Sequence, residues 1–186
     1  MSIRKETPPG WDYNPSQWLH RLPLVILAIT GFFIACYLSL YQLKVFPSVF
    51  EPLFGKGSEE VLNSYLAKAL PVPDALLGAS GYVVDVIAGL IGGTERWKTK
   101  PWIVILFGVA AGFFGLTSIL LVISQPVFLN AWCTLCLCSA AISIVIISPA
   151  TIEMLASLQF LQRVKRSGNS VWKAFWGNRE IINRIV

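Results

Sequence analysis

The sequence predicts an all-α integral membrane protein: a bundle of four transmembrane helices, a short lid helix in the first outer loop and a cytoplasmic amphipathic tail. Three observations carry this. Of the 186 residues, 55% are hydrophobic and only 13% are charged, and the mean hydropathy is +0.64, unlike a soluble domain. Four runs are long and nearly free of charge: 22–43, 72–93, 101–124 and 132–149. Finally, four crossings would gather twelve of the fifteen Lys and Arg residues on one side.

At about 1.5 Å per residue, roughly 18–24 helical residues span a hydrocarbon core of about 30 Å. Each run therefore reads as one crossing, 132–149 being the shortest. No small-residue cleavage site follows the first run, so it reads as an anchor rather than a cleaved signal. Arg4, Lys5 and Arg21 precede it, and Arg96, Lys98 and Lys100 separate the second run from the third. Arg163, Lys165, Arg166, Lys173, Arg179 and Arg184 follow the fourth. The opposite side holds only Lys44, Lys56 and Lys68. The positive-inside rule then places both termini in the cytoplasm of a multi-pass protein of the inner (plasma) membrane. The chain divides into an arm at 1–21, a four-helix domain at 22–149 and a basic tail at 150–186. The bases are scattered along a rim, which argues against nucleic acid as a partner.

Aromatic residues follow the same division. Trp11, Trp18, Trp97, Trp102, Trp172 and Trp176 flank the inner helix ends, and Trp132 marks the outer start of the fourth run. In the tail, Trp172, Phe175 and Trp176 share a helical face beside Lys173. That face suits the inner membrane surface or a partner protein. In the first outer loop, 44–71, Ser58 can N-cap a helix with Glu59 and Glu60 in its first turn. Val61, Leu62, Tyr65, Leu66 and Ala69 give that helix an apolar face, suited to a lid over the bundle mouth or to a plain interfacial helix.

The chemistry concentrates in AWCTLCLCSA, residues 131–140, which holds three of the four cysteines. Cys133 and Cys136 fall at the outer, oxidising end of the fourth run, where disulfides persist. Three residues apart on a helix, they share a face and can bridge one turn. A helix N-terminus also favours a thiolate, as thiol–disulfide exchange requires. A static disulfide or packed thiols remain open on spacing alone. Structural zinc needs about four ligands, and the only histidine, His20, lies on the opposite side. Cys138 points some 200° away from Cys136 and reads as a packed residue, as does Cys36 in the first run.

WCTLCLCSA after a short loop resembles the fourth-helix redox motif of the vitamin K epoxide reductase family. SLYQL, at the end of the first run, resembles the family's helix-1 exit. SEEVLNSYLAKALPVPDALLGASGY, residues 58–82, resembles the segment in which V-L-x-S precedes P-x-x-x-x-G and helix 2. The resemblance covers about 22–149 and is to the bacterial type. It implies a four-helix bundle holding a quinone, ubiquinone or menaquinone, beside the C-x-x-C. Electrons then arrive from thiols and support disulfide formation in exported proteins on the periplasmic side. It implies that Cys136 faces the quinone while Cys133, nearer the surface, accepts electrons from a separate thioredoxin-fold partner. Ser64 matches the family's loop serine. Asp74 falls where relatives carry an Asn that bonds the quinone, and Leu77 falls where an aromatic contacts the ring. The family's pair of loop cysteines is missing: Ser58 stands at one position and Phe50 near the other. Ala140 stands where vertebrate relatives have a pocket Tyr.

In the second run, Asp74, Gly78, Gly81, Asp85 and Gly92 fall within about 60° of helical arc, and Gly108, Gly112 and Gly115 form a matching stripe on the third. Asp85 lies roughly 16 Å deeper than Asp74. It is either a proton route for quinone reduction or a buried carboxyl bonded to a neighbouring helix. Three functions are therefore weighed. The leading one is a thiol–quinone oxidoreductase. The others are a redox-degenerate accessory subunit of a larger membrane complex and a soft-metal carrier using Cys133 and Cys136, with or without Cys138.

Overall fold

The computed structural model describes residues 7–68 and 71–185. Every regular element among them is helical. Four long helices, α1 (Trp18–Gln42), α3 (Asp74–Leu90), α5 (Pro101–Ser124) and α6 (Thr134–Arg166), pack as a ring. In it α1 meets α3 and α6, and α5 meets α3 and α6. Between them lie α2 (Gly57–Asn63) and α4 (Arg96–Thr99), and α7 (Val171–Phe175) and α8 (Arg179–Ile185) follow α6. A π-helical segment, Gln125–Leu129, extends α5 and ends at Asn130, whose φ of 47° turns the chain toward α6.

Among the described residues, three helices are long and apolar enough to cross a membrane: Trp18–Gln42, Pro101–Leu129 and Thr134–Arg166. The second run yields less than predicted. With 17 residues, α3 rises about 25 Å, short of a core of about 30 Å. The fourth run yields more. It does not stop at Pro149 but continues to Arg166 as 33 helical residues. A proline removes one backbone bond and crowds the preceding turn. Here Ala150, Glu153, Ala156, Ser157 and Phe160, all buried, hold the following turns in place.

The core is built from small residues and a few large ones: Ala28 and Ala35 of α1, Ala79 and Tyr82 of α3, Phe107 and Ala111 of α5, Ile146 and Ala150 of α6. The two glycine stripes do not face each other. A Cβ on Gly108 or Gly115 would meet Met154 or Ile147 of α6, whereas one on Gly81 would meet the Phe114 ring. The close approach of α1 to α3 rests instead on Gly31, where a Cβ would lie 2.4 Å from the Tyr82 ring. Gly92 lies beyond the C-cap of α3, Ile91, with φ of 86°, and does not extend the stripe of that helix.

At the end opposite the cysteines, two buried arginines occupy the end of α3. Arg21 donates to the carbonyls of Gly89, Gly92 (2.9 Å) and Ile91 (3.0 Å). Arg96 donates to Ala88 and Ile91 and forms a two-pronged pair with Glu153 of α6. Ser16 donates to the same carboxylate at 2.5 Å. Asn14 accepts from the Ser16 amide and donates to Thr94 O, tying in the N-terminal arm. The tail folds back here: Ala174, Ile181 and Ile182 pack with Trp97, Phe160 and Val164. Trp97, expected in an interfacial belt, is buried edge-to-face on Phe160. The predicted tail face divides. Phe175 packs inward, while Trp172 remains 69% exposed and Trp176 leans on Trp102.

The Arg96–Glu153 pair yields a stability prediction. Glu153→Ala leaves a buried guanidinium without its counter-charge and should cost about 3–5 kcal/mol. Thermal unfolding of detergent-solubilised protein measures this. A variant that melts with the wild type would show that the pair contributes nothing net.

Candidate functional site

The cysteine end is assembled by the turn after the π-helical segment. Gln125 is buried there, and its Oε1 accepts the Cys133 amide at 3.0 Å. That bond holds Cys133 in extended backbone geometry as the N-cap of α6, not in its first turn as the spacing suggested. Its sulfur accepts the Cys136 amide at 3.1 Å and is bonded to the Cys136 sulfur, with a Cα–Cα separation of 5.2 Å. Cys138 is exposed on the other side of the helix, and Cys36 is half-buried in α1.

The two sulfurs differ in access, in the reverse of the predicted order. Cys133, expected near the surface, is 0% exposed and packs with Val61 and Ala131. Cys136, one turn in, lines a cavity of about 110 Å³. Burial of Cys133 follows from the loop above it. A Cβ on Gly57 would lie 2.1 Å from the Trp132 carbonyl, so glycine lets α2 settle on the Cys133 peptide. Phe54 stacks on Trp132 at 6.2 Å.

Glu51 fixes that loop. Its carboxylate accepts from Ser58 Oγ, Thr134 Oγ1, the Thr134 amide (2.9 Å) and the amides of Leu53 and Phe54. Ser58 therefore serves Glu51 and does not cap α2, whose N-cap is Lys56. Partial burial pushes the Glu51 carboxyl upward, but the hydrogen bonds from Ser58 and Thr134 outweigh it and bring it down to about 2. The predicted lid face is shorter than its sequence pattern. The helix ends at Asn63, Tyr65 is exposed beyond it, and Ala69 lies outside the described residues.

The cavity draws on every long helix. Ala35 and Leu38 come from α1, Leu62 from α2, Gly78 from α3, Leu121 and Val122 from α5, and Ala140 from α6. Its polar groups are few: Ser64, Asp74, Ser118, Ser124, Gln125 and Ser139. Asp74 Oδ1 accepts from Gln42 Nε2 at 2.5 Å and from the Ala75 amide at 2.8 Å. Of the residues singled out from sequence, Cys136, Ser64 and Asp74 meet at this cavity and Cys133 backs it. Leu77 does not join them. It is 40% exposed because Asp74, Ala75 and Gly78 take the inward arc of α3, roughly 100° away. Asp85 is buried at 7% exposure, but its Oδ1 has no hydrogen-bond partner among the described residues. The expected bond from a neighbouring helix is absent at that oxygen.

Residues 22–151 match the model of the Vitamin K epoxide reductase family. The chain belongs to that family. Against individual curated proteins it finds no match. Membership makes the chain a membrane protein of a thiol–disulfide oxidoreductase family whose members are linked to quinones, and the bonded Cys133–Cys136 pair agrees with that. Within a family frame, Glu51, Gln125 and Tyr82 went unread from sequence. Gln125 carried a signal: it is an isolated amide in the apolar stretch 101–129. Glu51 carried none, because its five donors come from three separate segments.

In this VKOR-family chain the loop over Cys133 should open with acid. Because the Glu51 carboxyl is held at about 2, against an ordinary 4.5, its contribution is complete above the ordinary value and fades as pH falls toward 2. Protection of the α2 amides, taken relative to the intrinsic exchange rate at each pH, should fall across that window. At neutral pH, Glu51→Ala should speed reduction of the disulfide by a water-soluble phosphine roughly tenfold, since charge-assisted bonds worth about 1.5 kcal/mol are lost. An unchanged rate would show that Glu51 does not hold the loop closed.

Proposed function

We propose that the chain passes electrons from thiols on the outer face of the membrane, through Cys133 and Cys136, to a quinone in the cavity, and so supports disulfide formation in exported proteins. The observation that carries this reading is Cys136, bonded to Cys133 and lining a cavity enclosed by all four long helices. The lining suits an aromatic ring: it is chiefly Ala, Leu and Val with a few polar groups. A quinone supplies an acceptor for two electrons and two protons, and either ubiquinone or menaquinone satisfies the reading. Cys136, Asp74, Ser64 and Ser139 would hold it.

The chain's own residues do the rest. Two electrons and two protons leave the Cys133–Cys136 dithiol as its disulfide forms. The α6 N-terminus stabilises thiolate at this pair. Apolar walls and α2 exclude water from the Cys136 sulfur. A thioredoxin-fold partner, as a separate periplasmic chain, reaches Cys133 only when the Glu51-bound loop moves. In this reading α3 is the fourth crossing, α2 the lid, and both termini are cytoplasmic in an inner membrane. The end of α3 is satisfied by Arg21 and Arg96, which donate to its last carbonyls.

Burial of Cys133, with Ser58 in place of a loop cysteine, favours a second reading: an accessory subunit of a membrane complex with a static disulfide. The two are separated by trapping. Cys136→Ser should capture a partner through Cys133 in intact cells and abolish quinone-linked thiol oxidation. Cys138→Ser, on the far side of α6, should keep nearly full turnover. Capture of stoichiometric membrane subunits without a sulfur-linked species, while wild-type Cys133 and Cys136 stay permanently bonded, would replace the enzymatic reading by the accessory one.

A further inference from the structure

The cavity's fixed hydrogen-bonding groups favour one redox form of its ligand. Tyr82 reaches from α3 to α6, and its hydroxyl donates to the Ser139 carbonyl at 2.6 Å. A phenol has one hydrogen, and a carbonyl can only accept. The hydroxyls of Ser139 and Ser143, each 2.9 Å from the Tyr82 oxygen, must therefore donate to it. Ser139 lines the cavity one turn below Cys136. With its hydrogen turned toward Tyr82, it offers the cavity lone pairs.

Asp74 offers lone pairs as well. Gln42 and the Ala75 amide both bond its Oδ1, which leaves Oδ2 free among the described residues. Gln125 is the opposite case. Its amide oxygen is taken by the Cys133 N–H, so its amide nitrogen is left to donate. The hydroxyl of Ser64 can turn either way and does not discriminate. Ser124 donates its hydrogen to the Leu121 carbonyl at 2.7 Å and so offers lone pairs too. Ser118, like Ser64, does not discriminate. The fixed groups are thus three acceptors, Asp74, Ser139 and Ser124, and one donor, Gln125. A ring diketone carries acceptors only: it satisfies Gln125 and sets lone pairs against Asp74 and Ser139. A ring with two hydroxyls donates to Asp74 and Ser139 and accepts from Gln125.

We propose that the cavity binds the quinol form of its ligand more tightly than the quinone form, with Asp74 and Ser139 setting that preference and Tyr82 positioning Ser139. This rests on the reading of the cavity as a quinone site. Its consequence is thermodynamic. Each tenfold preference for the two-electron-reduced form raises the potential of the bound couple by about 30 mV. Electron flow from the Cys133–Cys136 dithiol is favoured accordingly.

The test is anaerobic equilibrium dialysis of the full-length, detergent-solubilised protein against a short-chain benzoquinone and, separately, its hydroquinone. Wild type should bind the hydroquinone about tenfold tighter, the effect of one buried acceptor left unpaired by the diketone. Asp74→Asn, whose amide can donate, should erase that preference chiefly by strengthening quinone binding. Tyr82→Phe frees the Ser139 hydrogen and should shift the ratio in the same direction, whereas a merely structural Tyr82 would weaken both forms alike. Equal binding of the two forms by wild type, or an unchanged ratio in Asp74→Asn, overturns the inference and leaves the quinone site standing. Failure of both forms to bind overturns the quinone site itself.

Discussion

The bundle depends on how α3 ends. At 17 residues it is the shortest of the long helices, and its last carbonyls fall inside the protein. Left without donors there, they would each cost roughly what a lost buried hydrogen bond costs. Arg21 from α1 and Arg96 from α4 supply those donors, and Glu153 from α6 balances one of the two charges. Three helices are thereby joined to the end of the fourth. The pairing explains why α6 runs on past Pro149: Glu153 lies one turn beyond that proline and must be delivered on a rigid element. It also sets the height of α3, and so places Asp74 at the cavity and Tyr82 against Ser139.

At the cysteine end the same economy recurs with opposite charge. One carboxylate, Glu51, gathers donors from its own loop, from α2 and from the first residue of α6. Gln125 holds the next peptide. Between them they lock the backbone on both sides of Cys133 and leave Cys136 facing the cavity. A disulfide so placed has Cys133 shielded from solvent and Cys136 open to the cavity, which is the arrangement that the proposed electron transfer to a quinone needs. On the proposed reading the same shielding would restrain a partner protein, and the Glu51 contacts are the polar part of that restraint.

Sequence revealed the elements whose signals are local. The apolar runs, the C-x-x-C spacing, and Ser64 and Asp74 within their motif all led to groups that meet at one cavity. Other features were hidden because partners distant in sequence decide them. Ser58 looks like an N-cap, yet a carboxylate seven residues earlier claims its hydroxyl. Pro149 looks like a terminus, yet buried contacts on later turns carry the helix through it. The glycine stripes of α3 and α5 share a period without sharing an interface, since Gly108 and Gly115 receive α6. Leu77 sits in the right motif but on the wrong arc, an error that helical angle alone could have exposed.

Basic residues, too, have two roles that a count cannot separate. Arg21 and Arg96 enter the positive-inside tally with the rest, yet both are buried and spent on carbonyls and a carboxylate. Lys100, Lys165, Arg166, Lys173 and Arg179 remain exposed at the same end. Among the described residues these five are exposed to meet anionic headgroups, on the side that the proposed orientation makes cytoplasmic. The bias survives without the buried pair, because Lys44, Lys56 and Lys68 are all that oppose it. The proposed orientation and the internal packing thus draw on the same residue type at the same end of the molecule. A cationic end that anchors the fold is also the end whose transfer across the bilayer costs most.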